Sequence, residues 1–131
     1  MMDVCLISVV DDDESLRESL EGLLKSLGYG VEVFSSADNF LSSKALAKTN
    51  CLILDVRMPG MSGLELQREL MGQRAKIPII FITANGDEDV VSRVITDGSV
   101  DCLLKPFSED SLLNAISLAL SGCTCLALFD C

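Results

Sequence analysis

Short apolar runs alternate with stretches of helical periodicity along this whole chain, and that alternation limits the folds open to it. Val4–Val10 is almost uninterruptedly apolar, as expected of a parallel strand covered on both faces. Leu16, Leu20, Leu23, Leu24 and Leu27 then recur at i, i+4, i+7, i+8 and i+11, one stripe of an amphipathic helix, and Gly28 supplies a stop. Gly30–Phe34 reads as a second strand, and Ser35 or Ser36 can cap a helix carrying Phe40, Leu41 and Leu46. Cys51–Val56 is a third strand with a turn beyond it at Pro59-Gly60. Ser62 and Glu65 have the capping-box spacing that opens a helix through Leu64–Met71. Ile77–Thr83 is a fourth strand, and Asp87, Glu88 and Asp89 suit the positive end of a helix over Asp87–Asp97. Val100–Leu104 is a fifth strand, after which Ser108 caps a last helix with Leu112, Leu113, Ile116, Ala119 and Leu120 on one side.

Five strands and five helices in strict alternation imply an α/β protein with a parallel sheet and right-handed crossovers. At this length the expected architecture is a flavodoxin-like (βα)5 three-layer sandwich of strand order 2-1-3-4-5. Such sheets bind ligands beyond the carboxyl ends of their strands, where the order reverses between the first and third. Asp11–Asp13 end the first strand and Asp55 the third, while Thr83 and Lys105 end the fourth and fifth. Residues far apart in sequence should therefore meet on one rim.

Carboxylates crowded at the end of a buried strand repel one another, and a hard divalent cation bound through oxygen is the usual compensation. Asp13 and Glu14 stand apart from the rest, because they suit the positive end of the following helix better than a metal.

Composition removes other chemistries. The chain has 131 residues, enough for one domain with a full core, and a formal net charge of −10. That charge argues against direct nucleic-acid binding, which needs clustered Lys and Arg. No stretch approaches the roughly 20 apolar residues of a membrane span, and Met1–Val10 lacks the basic flank of a signal peptide. A cytoplasmic location is expected. With no histidine, Ser-His-Asp hydrolysis, Cys-His proteolysis and His-ligated zinc are excluded. Cys5, Cys51 and Cys102 read as small buried hydrophobes and Cys123, Cys125 and Cys131 as a scattered tail, with no disulfide expected in a cytosolic chain.

Four segments, Val9-Val10-Asp11-Asp12-Asp13, Leu54-Asp55-Val56-Arg57-Met58-Pro59-Gly60, Phe81-Ile82-Thr83-Ala84 and Leu104-Lys105-Pro106-Phe107, resemble the receiver domain of bacterial two-component response regulators. The run Asp55–Gly63 and the ending Lys105-Pro106-Phe107 resemble its nitrogen-fixation regulator branch. The resemblance implies that Asp55 accepts a phosphoryl group from a sensor histidine kinase or phosphotransfer protein, with Thr83 and Lys105 assisting. It implies Mg²⁺, with Mn²⁺ as an expected substitute, on Asp11, Asp12, Asp55 and the backbone carbonyl of Arg57. It also implies a cis Lys105–Pro106 bond. Such a domain is a switch rather than an enzyme, beyond catalysing its own phosphorylation and dephosphorylation. A phosphohydrolase using Asp55 would commonly need an acid two residues on, where this chain has Arg57, and a nucleotide or flavin module would need glycine motifs it lacks.

The resemblance further implies that Thr83 moves toward the phosphoryl group and that an aromatic residue on the fifth strand follows it. Cys102 occupies that position, so the coupling departs from the family pattern. The expected output and homodimer face is that of the fourth helix, fifth strand and fifth helix, from Val90 to Leu120. Residues 1–120 form the expected receiver domain. Residues 121–131 read as a tail, either the start of a linker to a DNA-binding output domain or the end of a stand-alone receiver acting through protein contacts.

Overall fold

The computed structural model describes residues 5–73, 77–83, 99–105 and 107–120. Strands β1 (Leu6–Val10), β2 (Gly30–Phe34), β3 (Cys51–Asp55), β4 (Ile79–Thr83) and β5 (Ser99–Leu104) form one parallel sheet. Its order is β2-β1-β3-β4-β5, the flavodoxin-like order that the alternating pattern implies. Every residue of β3 and β4 is buried, which accounts for their lack of polar alternation.

Helices cover both faces. On one, Ile7, Val9, Ile53, Ile80 and Ile82 pack with Leu20 and Leu24 of α1 (Glu14–Ser26) and with Leu112, Ile116 and Leu120 of the C-terminal helix (Glu109–Leu120). On the other, Val10, Leu52, Leu54 and Phe81 pack with Phe40 of α2 (Ala37–Leu41) and with Leu66 and Leu70 of α3 (Gly63–Gly72). Alternate residues of each central strand thus enter opposite cores. Each fully buried leucine or isoleucine contributes about 2 kcal/mol, so a one-residue slip that exchanged the faces would cost far more than any one contact.

The caps fix where these elements begin. Asp13 accepts from the backbone N–H groups of Ser15 and Leu16, capping α1 as its sequence position suggests. Ser62 and Glu65 form the reciprocal capping box of α3. Ser108 accepts from the N–H of Ser111 at the C-terminal helix. Gly28 (φ +95°) and Gly60 (φ +77°) make the left-handed turns after α1 and after β3.

Two expectations differ from what is observed. The helix expected to carry Phe40, Leu41 and Leu46 ends at Leu41, and Leu46 lies in a separate 3₁₀ turn, Lys44–Ala47. Ser42 and Ser43 are responsible: their hydroxyls donate back to the carbonyls of Asp38 and Phe40, closing the helix early. Cys5, buried at the start of β1, is disulfide-bonded to a partner outside the described residues. Redox compartment, the basis of the contrary expectation, says nothing about which thiols a fold brings together. Cys51 is buried and free, its thiol pushed up to about 12 by burial. The helix expected over Asp87–Asp97, the Lys105–Pro106 bond and the tail 121–131 lie outside the described residues. Among those described, no helix is long and apolar enough to cross a membrane.

Candidate functional site

The sheet register determines what meets at the rim. Val10 pairs with Leu54, so Asp11 follows β1 at the level of Asp55, the last residue of β3. Asp55 pairs in turn with Ile82, and Thr83 with Leu104. Asp11, Asp55, Thr83 and Lys105 therefore lie on successive neighbouring strand ends. The N–H of Lys105 donates to the carbonyl of Thr83 at 2.8 Å, which ties the loop after β5 to the end of β4.

One carboxylate oxygen from each of Asp11, Asp12 and Asp55 lies within 4.8 Å of the others. Asp11 and Asp55 are buried and Asp12 is exposed. Two unit negative charges at that separation repel by about 3 kcal/mol at an effective dielectric of about 20. Among the described residues a single cation faces them: Lys105 Nζ stands 3.3 Å from Asp11 Oδ2 and 3.7 Å from Asp55 Oδ2. One ammonium cannot neutralise three carboxylates. The shortfall shows at Asp55, whose carboxyl is pushed up to about 6, first by burial and then by the charge of Asp11. Lys105 and the backbone N–H of Arg57, which donates to this carboxylate, pull the other way.

The surroundings of Asp11 are more restrictive. Its N–H donates to the carbonyl of Phe34 at 3.1 Å, and its Oδ1 accepts from the N–H of Asp13 at 2.9 Å. Its own carbonyl accepts from Arg17 Nη1 at 2.8 Å. Only Oδ2 remains, fully buried and without a hydrogen bond among the described residues. A buried carboxylate oxygen left this way costs free energy unless a ligand completes it. Three converging carboxylates with one orphaned oxygen fit a hard, oxygen-seeking divalent cation.

The structure thus brings Asp11, Asp12, Asp55 and Lys105 together and sets Asp13 aside as a helix cap. Thr83 is fully buried at the adjoining strand end, and the Arg57 side chain is exposed. Sequence reasoning missed two contributors. Arg17, one turn into α1, reaches back to the carbonyl of Asp11. Gly63, the first residue of α3, lies so close to the backbone of Asp55 and Val56 that a Cβ there would overlap the carbonyl oxygen of Asp55. The position of Gly63 next to the N-cap serine was the available signal; nothing in the sequence singled out Arg17.

Beside the site, a groove of about 560 Å³ runs between α1 and the C-terminal helix. Leu16, Leu20, Leu23, Phe107 and Leu112 line it together with Lys105.

Comparison with known proteins agrees with this arrangement. Residues 7–117 match the family model described as the response regulator receiver domain. The response regulator protein TodT of Pseudomonas putida is 48% identical over 115 residues, which are 88% of this chain and 51% of that protein. The transcriptional regulatory protein FixJ of Bradyrhizobium diazoefficiens is 40% identical over 114 residues, 87% of this chain and 56% of that protein, and supports the nitrogen-fixation branch. The crystal structure of FixJ-N superimposes with a TM-score of 0.80 at 36% identity, covering 92% of this chain and 96% of that one. The chain spans about half the length of the curated relatives it matches. It belongs to the response regulator receiver domains, signalling domains rather than turnover enzymes.

Proposed function

We propose that this chain is the phosphoacceptor switch of a two-component phosphorelay, taking its phosphoryl group onto Asp55. The observation that carries the reading is the placement of Lys105 Nζ between the carboxylates of Asp11 and Asp55 at the sheet's switch point. Asp55 Oδ attacks the phosphorus of a phosphohistidine on a sensor histidine kinase or phosphotransfer protein. The P–N bond breaks, an acyl phosphate forms, and the departing imidazole takes up a proton. Both the nucleophile and the phosphoryl group are negative, so catalysis rests on positioning and charge neutralisation. Asp55 supplies a nucleophile fixed by β3 and by the N–H of Arg57. Lys105 presents an ammonium already in place beside it, and the Thr83 hydroxyl offers a donor to a phosphoryl oxygen. When bound by Asp11, Asp12, Asp55 and the carbonyl of Arg57, Mg²⁺, or Mn²⁺ in its stead, supplies the positive charge that Lys105 alone leaves wanting. Return to the resting state is a slow hydrolysis of the same acyl phosphate at the same residues.

The groove between α1 and the C-terminal helix supports a protein donor, because it sets an apolar surface against Lys105. Readout would run through the face from Val90 to Leu120, with homodimerisation there. Cys102, packed half-buried against the α3-side core, stands where the family places an aromatic residue. Its small side chain shifts the coupling onto backbone movement. Within this reading, residues 1–120 are the receiver and 121–131 lead toward a linker, and the output is transcription control, as the name of the FixJ relative suggests. The setting is the cytoplasm, without direct nucleic-acid or membrane binding by this domain. A stand-alone receiver acting through protein contacts is the second reading, favoured by the same groove. Binding of a beryllofluoride phosphoryl mimic, followed by NMR, tests the proposal. It should require both Mg²⁺ and Asp55, and binding that persists in Asp55→Asn would count against it.

A further inference from the structure

We infer that Arg17 is a positioning residue for the cation site: by holding the carbonyl of Asp11 it keeps the one uncommitted oxygen of that residue turned into the pocket. The inference rests on the metal-dependent reading of the site given above. Asp11 has four hydrogen-bonding atoms. Its N–H is used by Phe34, its Oδ1 by the N–H of Asp13 and its carbonyl by Arg17 Nη1 at 2.8 Å. The first two contacts come from strand β2 and from the turn into α1, so they are backbone contacts that a side-chain substitution does not touch. Of the three, the Arg17 contact alone is made by a side chain. It spans the turn between β1 and α1, tying the first turn of the helix to the residue that ends the strand. The consequence falls on Oδ2, which is fully buried, lacks a hydrogen bond among the described residues and faces Lys105 at 3.3 Å. With the backbone of Asp11 released, rotation about its side chain would let Oδ2 find water or a nearby N–H and leave the pocket. The guanidinium suits this task, since its rigid fork loses little freedom on forming the bond.

Electrostatics alone makes the opposite forecast, and that makes the idea testable. Arg17 is a positive charge beside a cluster of carboxylates that attracts cations. If charge were its only influence, removing it would make the pocket more negative and tighten Mg²⁺ binding. If its contact with the Asp11 carbonyl positions a ligand, removing it weakens binding despite the charge change. Partners that orient metal ligands are worth about 10- to 100-fold in affinity. Because Arg17 acts through a backbone carbonyl, the low end, about ten-fold, is expected.

The experiment is a Mg²⁺ titration of the 131-residue chain followed by the amide NMR signals of Asp11 to Asp13, for wild type, Arg17→Met and Arg17→Gln. Both replacements are uncharged, keep much of the aliphatic stem on a half-exposed helix position, and are judged independently, so either one that folds decides the matter. Lys25→Met, farther along α1 and paired with Glu21, serves as a control for loss of a helix charge. The inference requires Mg²⁺ affinity about ten-fold weaker in the Arg17 variants, unchanged or slightly tighter in Lys25→Met, and recovered in part by Arg17→Lys, which restores a donor. Equal or tighter binding in the Arg17 variants overturns it, while wild-type binding still upholds the metal reading. Wild type that takes up no Mg²⁺ at millimolar concentration overturns that reading and this inference together.

Discussion

Gly63 lies directly over the carbonyl of Asp55, with its own N–H donating to the carbonyl of Val56 at 2.9 Å, and a methyl group at position 63 would overlap that Asp55 carbonyl. The first turn of α3 is thereby packed onto the backbone of the proposed phosphoacceptor. Gly63→Ala must push strand and helix apart. We expect it to lower stability by about 1–3 kcal/mol in denaturant unfolding and to slow phosphorylation beyond what the stability loss explains. Gly22, on the exposed side of α1, has nothing within reach of an added Cβ, and alanine there should be neutral or mildly stabilising.

Asp55 should make the metal-free protein less stable as pH rises. Its carboxyl is pushed up to about 6 from an ordinary 3.8, so the folded chain holds this proton more tightly than the unfolded one. The folded state is therefore favoured by this group at low pH, loses that advantage between about pH 4 and pH 6, and changes little above. Asp55→Asn removes the loss. At about pH 7.5 without divalent cations the variant should be more stable than wild type by about 1–3 kcal/mol, and the gap should close near about pH 4. Added Mg²⁺ should reverse the ranking by stabilising wild type alone, in proportion to the logarithm of its concentration. Thermal melts at several pH values check both parts.

Asp12 and Asp13 are neighbours with different tasks. Asp13 caps α1, so Asp13→Ala should cost about 1 kcal/mol of stability. Its backbone N–H to Asp11 survives the substitution, and Mg²⁺ affinity should fall much less than in Asp12→Ala. Asp12 is exposed and removes repulsion when replaced, so Asp12→Ala should leave stability unchanged or raised while largely abolishing Mg²⁺ binding. Paired melts and calorimetric titrations distinguish the two.

The parts of this fold that depend on pattern were readable in the sequence. Uninterrupted apolar runs gave β1, β3 and β4 because strands covered on both faces have no reason to alternate, and the polar residues that end them gave Asp11, Asp55, Thr83 and Lys105. Caps at Asp13, Ser62 and Ser108 follow from local chemistry and were equally readable. Contacts that exist only once elements pack were not. The early end of α2 depends on two serine hydroxyls turning back, where the pattern of apolar residues suggested continuation. That Lys105 stands nearer Asp11 than Asp55 depends on how the loop after β5 is tied to β4, and the reach of Arg17 depends on the crossing of α1 over β1.

Cys102 offers a test of the readout. A half-buried cysteine on β5 fills little space against the α3-side core, so Cys102→Phe should be accommodated with a stability change below about 2 kcal/mol. If the absence of an aromatic side chain limits coupling, this variant should dimerise more strongly upon phosphorylation than wild type, as read by light scattering. Unchanged dimerisation would show that coupling runs through the backbone alone.

The central claim is that the carboxylate of Asp55, held beside Lys105 in an acidic cation site, takes up a phosphoryl group. Intact-mass measurement after incubation with acetyl phosphate tests it most directly. The account predicts a gain of one phosphoryl group that needs Mg²⁺, is lost in Asp55→Asn, and is strongly reduced in Lys105→Met. No mass gain in wild type with Mg²⁺ present, or an equal gain in Asp55→Asn, would contradict it.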